Sequence, residues 1–105
     1  MKVVITRTAE TSLEDIYRYK CGYSIAHADE FLNEIYDFIV RNLSEFPHLG
    51  RPYNPARGLF RLVYSKGFNI YYTIRADEVF VLFIVDGLLS LNQELADPDV
   101  ELPRE

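Results

Sequence analysis

Two hydrophobic periods divide this chain of 105 residues, and the change from one to the other limits the folds it can adopt. From residue 24 to residue 44, apolar side chains recur every three or four positions and charged side chains occupy the opposite side. That period predicts one long amphipathic helix with its apolar stripe against a core. The apolar positions are Ile25, Ala28, Phe31, Leu32, Ile35, Phe38, Ile39 and Leu43.

After Leu59 the pattern becomes that of strands, with β-branched and aromatic residues between short turn sequences. We predict a meander of three strands over residues 59–65, 68–75 and 79–85, with tight turns at Lys66-Gly67 and Ala76-Asp77. The third strand is apolar at every position. Such a strand is usually central and covered on both faces.

The N-terminal part predicts a strand over residues 3–6 and then a first helix. Thr8 or Thr11 can begin this helix, and Thr11 forms a capping box with Glu14. Gly22 is the predicted end of the helix. Pro47 ends the second helix, and a loop rich in proline and glycine is predicted over residues 46–58.

The predicted order of elements is β-α-α-β-β-β, an α+β fold in which two N-terminal helices pack on a small, mainly antiparallel, curved sheet. A chain of this length is enough for one domain. We place that domain at residues 1–92 and predict that residues 93–105 form an acidic, flexible C-terminal tail.

Charge is distributed unevenly along the chain, whose formal net charge is −5. Residues 41–75 carry six basic side chains against Glu45 alone, whereas residues 76–105 carry eight acidic side chains against Arg104 alone. Proteins that grip nucleic acid usually have an overall basic footprint. We therefore expect no direct nucleic-acid binding, although the middle third can form a local basic site.

No apolar run reaches the roughly 18 residues that a membrane span needs, and the N-terminal apolar stretch is too short for a signal peptide. Together with the single cysteine, this predicts a cytoplasmic protein. Cys21 is the single cysteine, so no internal disulfide is possible. His27 and His48 have no ligand partners at metal-binding spacing, and no nucleophile–base pair or phosphate loop is visible. We predict no catalytic residue, no metal and no cofactor.

Basic and aromatic residues of the middle third are the candidates for binding a partner or target. Arginine forks pair well with carboxylates, so a positive patch here would suit an acidic segment of another protein. The alternative is that Arg51 and Arg57 bond the carbonyls of the long loop, and that the tyrosines only pack within the sheet. The candidates are Arg51, Arg57, Arg61, Tyr64, Lys66 and Arg75.

Several short motifs, in order, resemble those of the ParE branch of the ParE/RelE toxin superfamily. Residues 43–52 read LSEFPHLGRP, similar to a helix end followed by "FPxxGR", and residues 57–63 read RGLFRLV, similar to "RGLRRL". Residues 68–74 read FNIYYTI, similar to "YRIFYRI". The first helix and the apolar strand also match, so the resemblance spans about residues 1–88.

This resemblance implies the toxin of a type II toxin–antitoxin system, of the plasmid-stabilisation type. Such a toxin is neutralised by a cognate antitoxin that wraps over its helices and sheet in a hetero-oligomer. The ParE branch inhibits DNA gyrase, whereas the RelE branch cleaves mRNA on the ribosome. Strand edges, with their unpaired backbone groups, also suit pairing with an extended partner segment.

Departures from the pattern bear on which activity is expected. The ribonuclease branch has basic residues where this chain has Asn69 and Leu89, and many ParE-like proteins have "HGRR" where this chain has residues 86–89, DGLL. Arg61 alone keeps its basic character, and Leu88, Leu89 and Leu91 are apolar where relatives are polar. A RelE-like ribonuclease would have to use Arg61, Lys66 and Arg75. A third possibility is a protein of this fold that has lost toxicity and only binds its antitoxin.

Overall fold

A computed structural model describes residues 1–65 and 67–87 as two helices packed against one face of a five-stranded sheet. The predicted α+β architecture is confirmed. Lys66 and residues 88–105, including the predicted acidic tail and the boundary at residue 92, lie outside the described residues. The elements are β1 (Lys2–Ile5), α1 (Arg7–Cys21), α2 (Ile25–Glu45), β2 (Arg51–Asn54), a 3₁₀ helix (Pro55–Arg57), β3 (Leu59–Tyr64), β4 (Phe68–Arg75) and β5 (Glu78–Asp86).

Helix α1 begins at a different residue from the one predicted. Thr6 is its N-cap, and the Thr6 hydroxyl accepts the backbone N–H of Ala9. Thr8 and Thr11 lie inside the helix, so neither predicted cap is correct. Thr6 prevails because its hydroxyl also donates a 2.7 Å hydrogen bond to the Val81 carbonyl of β5, which fixes the helix start to the sheet. As predicted, the helix ends at Gly22.

Helix α2 agrees with its prediction to within one residue at each end. Ser24 caps its first turn by accepting the N–H of His27. The helix ends at Glu45, and Phe46 has φ −127° and ψ 74°. A residue before proline is driven out of the helical region, so Pro47 stops the helix as expected.

The predicted loop over residues 46–58 is wrong in part, because it contains an edge strand and a 3₁₀ turn. Strand β2 includes Pro52, which an edge position tolerates because proline lacks an N–H to donate. The 3₁₀ helix starts with Pro55 after an Asn54 cap and stops at Gly58, whose φ is +66°. That left-handed conformation favours glycine over residues with a Cβ.

The sheet has the strand order β1-β5-β4-β3-β2. Strand β1 pairs with β5 in parallel, and all other pairs are antiparallel, as the mainly antiparallel prediction requires. Ala76 and Asp77 form the predicted two-residue turn, and both have positive φ. The predicted interior position of the apolar strand is confirmed, since β5 has a partner on each side. On the side away from the helices, however, its side chains Phe80 and Phe83 are only half-buried.

The core lies between the helices and one face of the sheet. In α2, Ile35, Ile39 and Leu43 have no exposed surface, and Val79 and Val81 of β5 are equally buried. Each such side chain stabilises the fold by roughly 1.5–3 kcal/mol relative to an exposed one. No helix in residues 1–65 and 67–87 has the length and apolar character needed to cross a membrane.

Candidate partner-binding site

The face of the sheet that points away from the helices, called here the outer face, carries both cationic and aromatic side chains. Leu62, Ile70 and Tyr72 belong to the core. Side chains alternate along a strand, so their neighbours lie on the other side of the sheet. The outer face is defined here by Arg51, Tyr53, Arg61, Val63, Tyr71 and Phe83.

Three aromatic rings form a row across the outer face. Phe83 and Tyr71 stack with ring centroids 4.6 Å apart, and Tyr53 meets Tyr71 edge-on at 4.9 Å. The guanidinium carbon of Arg61 lies 5.4 Å from the centroid of the Tyr53 ring, within cation–π range. Tyr71 is 2% exposed, so the row has a buried centre and a cationic end.

Two arginines lie side by side at that cationic end. Arg51 of β2 and Arg61 of β3 are direct cross-strand partners, and both side chains are exposed. Directly opposed residues on neighbouring strands have Cβ atoms about 4.5–5.5 Å apart. Within residues 1–65 and 67–87, the ion pairs are Arg18–Asp15 and Arg41–Asp37, both on the helices. Neither arginine of the cross-strand pair is therefore neutralised by a carboxylate in the described part of the chain.

A cavity of about 300 Å³ adjoins the arginine pair. It lies between the segment before β2 and the second half of β3. Leu49 and Val63 give it apolar walls, and both are about half exposed, at 47% and 52%. The lining residues are Leu49, Gly50, Arg51, Arg61, Leu62 and Val63.

Gly50 holds the start of β2 against the sheet. Its backbone N–H donates a 2.8 Å hydrogen bond to the phenol oxygen of Tyr72. A Cβ at this position would lie 2.8 Å from the Tyr72 phenol oxygen and 2.9 Å from the Arg61 carbonyl oxygen, so only glycine fits. Burial raises the pKa of Tyr72, although the hydrogen bond from Gly50 acts in the opposite direction. The neutral phenol thus fixes the backbone that presents Arg51.

The six residues predicted for the site occupy different places. Arg51 and Arg61 come together on the outer face. Arg57 is exposed on the 3₁₀ helix, and Arg75 ends β4 opposite Glu78. Tyr64 faces the helices, 4.7 Å from the ring of Phe38, and Lys66 lies outside the described residues.

Tyr53 was missed from the sequence because its segment was interpreted as a loop. The exposed group at the tip of the helical hairpin was missed too: Tyr23 is 79% exposed, Ile25 64% and Tyr19 50%. Tyr19 and Tyr23 contact each other edge-on at 5.6 Å. The sequence holds one signal for this group. Its apolar side chains flank the helix end at Gly22, so they do not continue the apolar stripe by which a helix packs on the core.

Tyr17 and His48 have structural partners within the chain. Tyr17 donates to Asp29 across the two helices at 2.5 Å, and this bond is the main reason that the pKa of Tyr17 is raised. The His48 ring packs edge-on against Phe60, and Cys21 is half-buried. In the described ranges, no three His, Cys, Asp or Glu side chains come together as a metal site would require.

Comparisons with known proteins agree with this architecture. The family described as the ParE toxin of type II toxin–antitoxin systems, parDE, matches residues 3–87. Toxin ParE3 of Caulobacter vibrioides is 31% identical over 97 residues, covering 90% of this chain and 94% of that protein. A solved structure described as a chromosomal ParDE toxin–antitoxin system from P. aeruginosa superposes with a TM-score of 0.72. That match has 21% identity and covers 82% of this chain and 95% of the other, so it supports the fold alone.

Proposed function

The chain belongs to the ParE toxin family of type II toxin–antitoxin systems, and we propose that it is a cytoplasmic toxin that inhibits DNA gyrase by contact and is neutralised by a cognate antitoxin. The family match extends over residues 3–87, which is nearly all of the described chain. The observation that carries the contact mechanism is the outer face, where an unneutralised arginine pair adjoins a row of aromatic rings.

Arginine and tyrosine are among the residue types that most often dominate the energy of protein–protein interfaces. On the outer face, Arg61 and Tyr53 are in contact with each other, and Tyr53 rests on the nearly buried Tyr71. A side chain held in this way loses little rotamer freedom when a partner binds. This arrangement supports binding to another protein, first the antitoxin and, when the antitoxin is absent, the target.

Asn69, beside the aromatic row of the outer face, favours a contact mechanism over RNA cleavage. Asn69 of β4 occupies the position at which the resemblance to the ribonuclease branch requires a basic side chain, and it lies two residues from Tyr71 on the same face. Cleavage of RNA needs cations placed to stabilise charge on the phosphate. An amide has no charge to supply there.

Two features of this chain support an antitoxin that covers much of the toxin's surface. Large apolar side chains are exposed at the hairpin tip, on α2 at Val40 and beside the cavity at Leu49. The outer strands β1 and β2 leave sheet edges for an extended segment. Pro52 shortens the usable edge of β2, so β1 is the better candidate for strand pairing.

Growth of a bacterial culture tests this proposal. The gene is induced alone and together with the small open reading frame beside it, and optical density and viable counts are followed. We expect arrest by the gene alone and relief by its neighbour, with cellular mRNA intact. Normal growth in the presence of folded, soluble protein would contradict toxicity, and rapid mRNA loss before arrest would favour the ribonuclease reading.

A further inference from the structure

We propose that Arg51 and Arg61 together form a carboxylate-binding subsite that takes an acidic side chain of the antitoxin. This inference rests on the proposed function, since it names the chemistry by which the toxin's outer face recognises its partner. The two arginines are in direct register on neighbouring strands, both side chains are exposed, and both line the same cavity. Two guanidinium groups on one cavity offer several N–H donors for the two oxygens of a carboxylate.

The arrangement is unfavourable for the isolated chain. Like charges placed directly opposite each other destabilise a pair of strands. In residues 1–65 and 67–87, the carboxylates that form ion pairs with arginine belong to Asp15 and Asp37, and both lie on the helices. In that part of the chain, therefore, no acidic neighbour offsets the repulsion between Arg51 and Arg61. A cross-strand pair of like charges that no carboxylate in the described chain compensates is typical of a functional site.

The Arg61 side chain and the backbone before Arg51 are both held in place. Arg61 rests against the Tyr53 ring at 5.4 Å, and that ring is itself supported by Tyr71. Arg51 follows directly on Gly50, whose N–H is bound by the Tyr72 phenol. Preorganised side chains pay a smaller entropic cost on binding than freely rotating ones.

The surroundings indicate a peptide carboxylate in preference to a nucleic-acid phosphate. The cavity beside the pair is walled by Leu49 and Val63, which would contact an aliphatic neighbour of the acidic residue. In the described chain β2 pairs with β3 only as far as Arg61, so the β3 edge at Leu62 and Val63 lies along the cavity and can bond an extended backbone. A net charge of −5 would repel a polyanion as a whole while allowing a single carboxylate.

The test measures the affinity of the full-length protein for the purified product of the neighbouring open reading frame, by titration calorimetry. Arg51→Gln and Arg61→Gln are each expected to weaken binding at least tenfold. Arg18→Gln is the matched control: it removes the same charge from an exposed helical position, and we expect less than a threefold change. Arg61→Lys keeps the charge but loses the planar guanidinium that can form two hydrogen bonds to one carboxylate. An intermediate loss of affinity is therefore expected.

A second measurement separates lost binding from lost folding. Arg51→Gln removes one of two exposed like charges, so it should unfold at a temperature equal to or above that of the wild type. Arg61→Gln also removes the contact with the Tyr53 ring, so a small decrease is expected for that variant. Lower affinity without marked loss of stability supports the subsite. Marked destabilisation of both variants would overturn it, since the arginines would then be structural.

The remaining outcomes also decide the question. If the wild type binds the neighbour's product tightly and both glutamine variants bind as well as Arg18→Gln, the subsite is wrong while the proposed function stands. If a short single-stranded RNA binds the wild type and loses affinity with Arg61→Gln, the ligand class is wrong. If the neighbour's product does not bind the wild type at all, the proposed function fails and the subsite fails with it.

Discussion

The segment joining α2 to β2 offers a quantitative test of how the arginine pair is positioned, because Gly50 lies between a phenol and a carbonyl. Replacing Gly50 by alanine would put a methyl group 2.8 Å from the Tyr72 phenol oxygen and 2.9 Å from both the Arg61 carbonyl oxygen and a ring carbon of Tyr72. All three distances are well inside van der Waals contact. Neither the sheet backbone nor a fully buried tyrosine can move away freely.

The expected cost has two parts. Overpacking a well-filled site costs about 1–3 kcal/mol. Any shift that relieves the clash also lengthens the 2.8 Å hydrogen bond from the Gly50 N–H to Tyr72, which contributes about 1 kcal/mol. Gly50→Ala should therefore lower the free energy of unfolding by roughly 2–4 kcal/mol.

Urea denaturation followed by circular dichroism measures this change. Gly22→Ala is the matched control, because Gly22 has φ −62° and its nearest neighbour would be the Tyr19 carbonyl at 3.3 Å. We expect that variant to change stability by less than about 1 kcal/mol. In a Tyr72→Phe background, one of the three close contacts is gone, so Gly50→Ala should cost less there. A Gly50→Ala effect as small as that of the control would show that the segment moves to accept the methyl group.

Three further predictions concern the fold. Thr6→Ala removes both the α1 cap and the buried bond to Val81, and should lower the free energy of unfolding by about 1–3 kcal/mol in urea denaturation; Thr6→Ser should retain most of it, and equal losses would contradict this role. Ile39→Ala should cost about 2–5 kcal/mol because Ile39 is fully buried, whereas Val40→Ala, at a position 46% exposed, should cost less than about 1 kcal/mol in the same assay. Burial raises the pKa of Tyr72 above its ordinary value of 10.0, so its contribution is present below pH 10 and is lost as the pH rises through the folded-state pKa. The urea midpoint should thus fall in alkali, and it should fall less in Tyr72→Phe; identical falls would count against the assignment.

Much of the fold could be predicted because local patterns agree with tertiary packing. The apolar stripe of α2 is the surface that the core buries, and Ser24 and Pro47 mark its ends by chemistry that acts within a few residues. The strand bounds of β3, β4 and β5 follow from composition and from the turn at Ala76 and Asp77.

Long-range contacts account for what the sequence could not show. Thr6 caps α1 because its hydroxyl also donates a hydrogen bond to a carbonyl of β5, 75 residues away in the sequence. Patterns within a few residues of Thr6 cannot predict that contact. Strand β2 was hidden because Pro52 is a poor strand residue in general and is tolerated only at an edge.

The candidate site depended on that missing strand. Arg51 and Arg61 were both selected as binding candidates, yet their pairing requires the register between β2 and β3. With residues 46–58 interpreted as a loop, Arg51 had no defined neighbour. The support of Arg61 by Tyr53 has the same origin, since Tyr53 also lies in β2.

The proposed inhibition of DNA gyrase by contact, and its relief by a partner protein, can be tested with purified components. The most direct measurement is gyrase supercoiling of relaxed plasmid DNA with the purified protein, with and without the product of the neighbouring open reading frame. We predict that the protein inhibits supercoiling and that prior mixing with the neighbour's product restores it. Full supercoiling in a large molar excess of folded protein would contradict gyrase inhibition by contact.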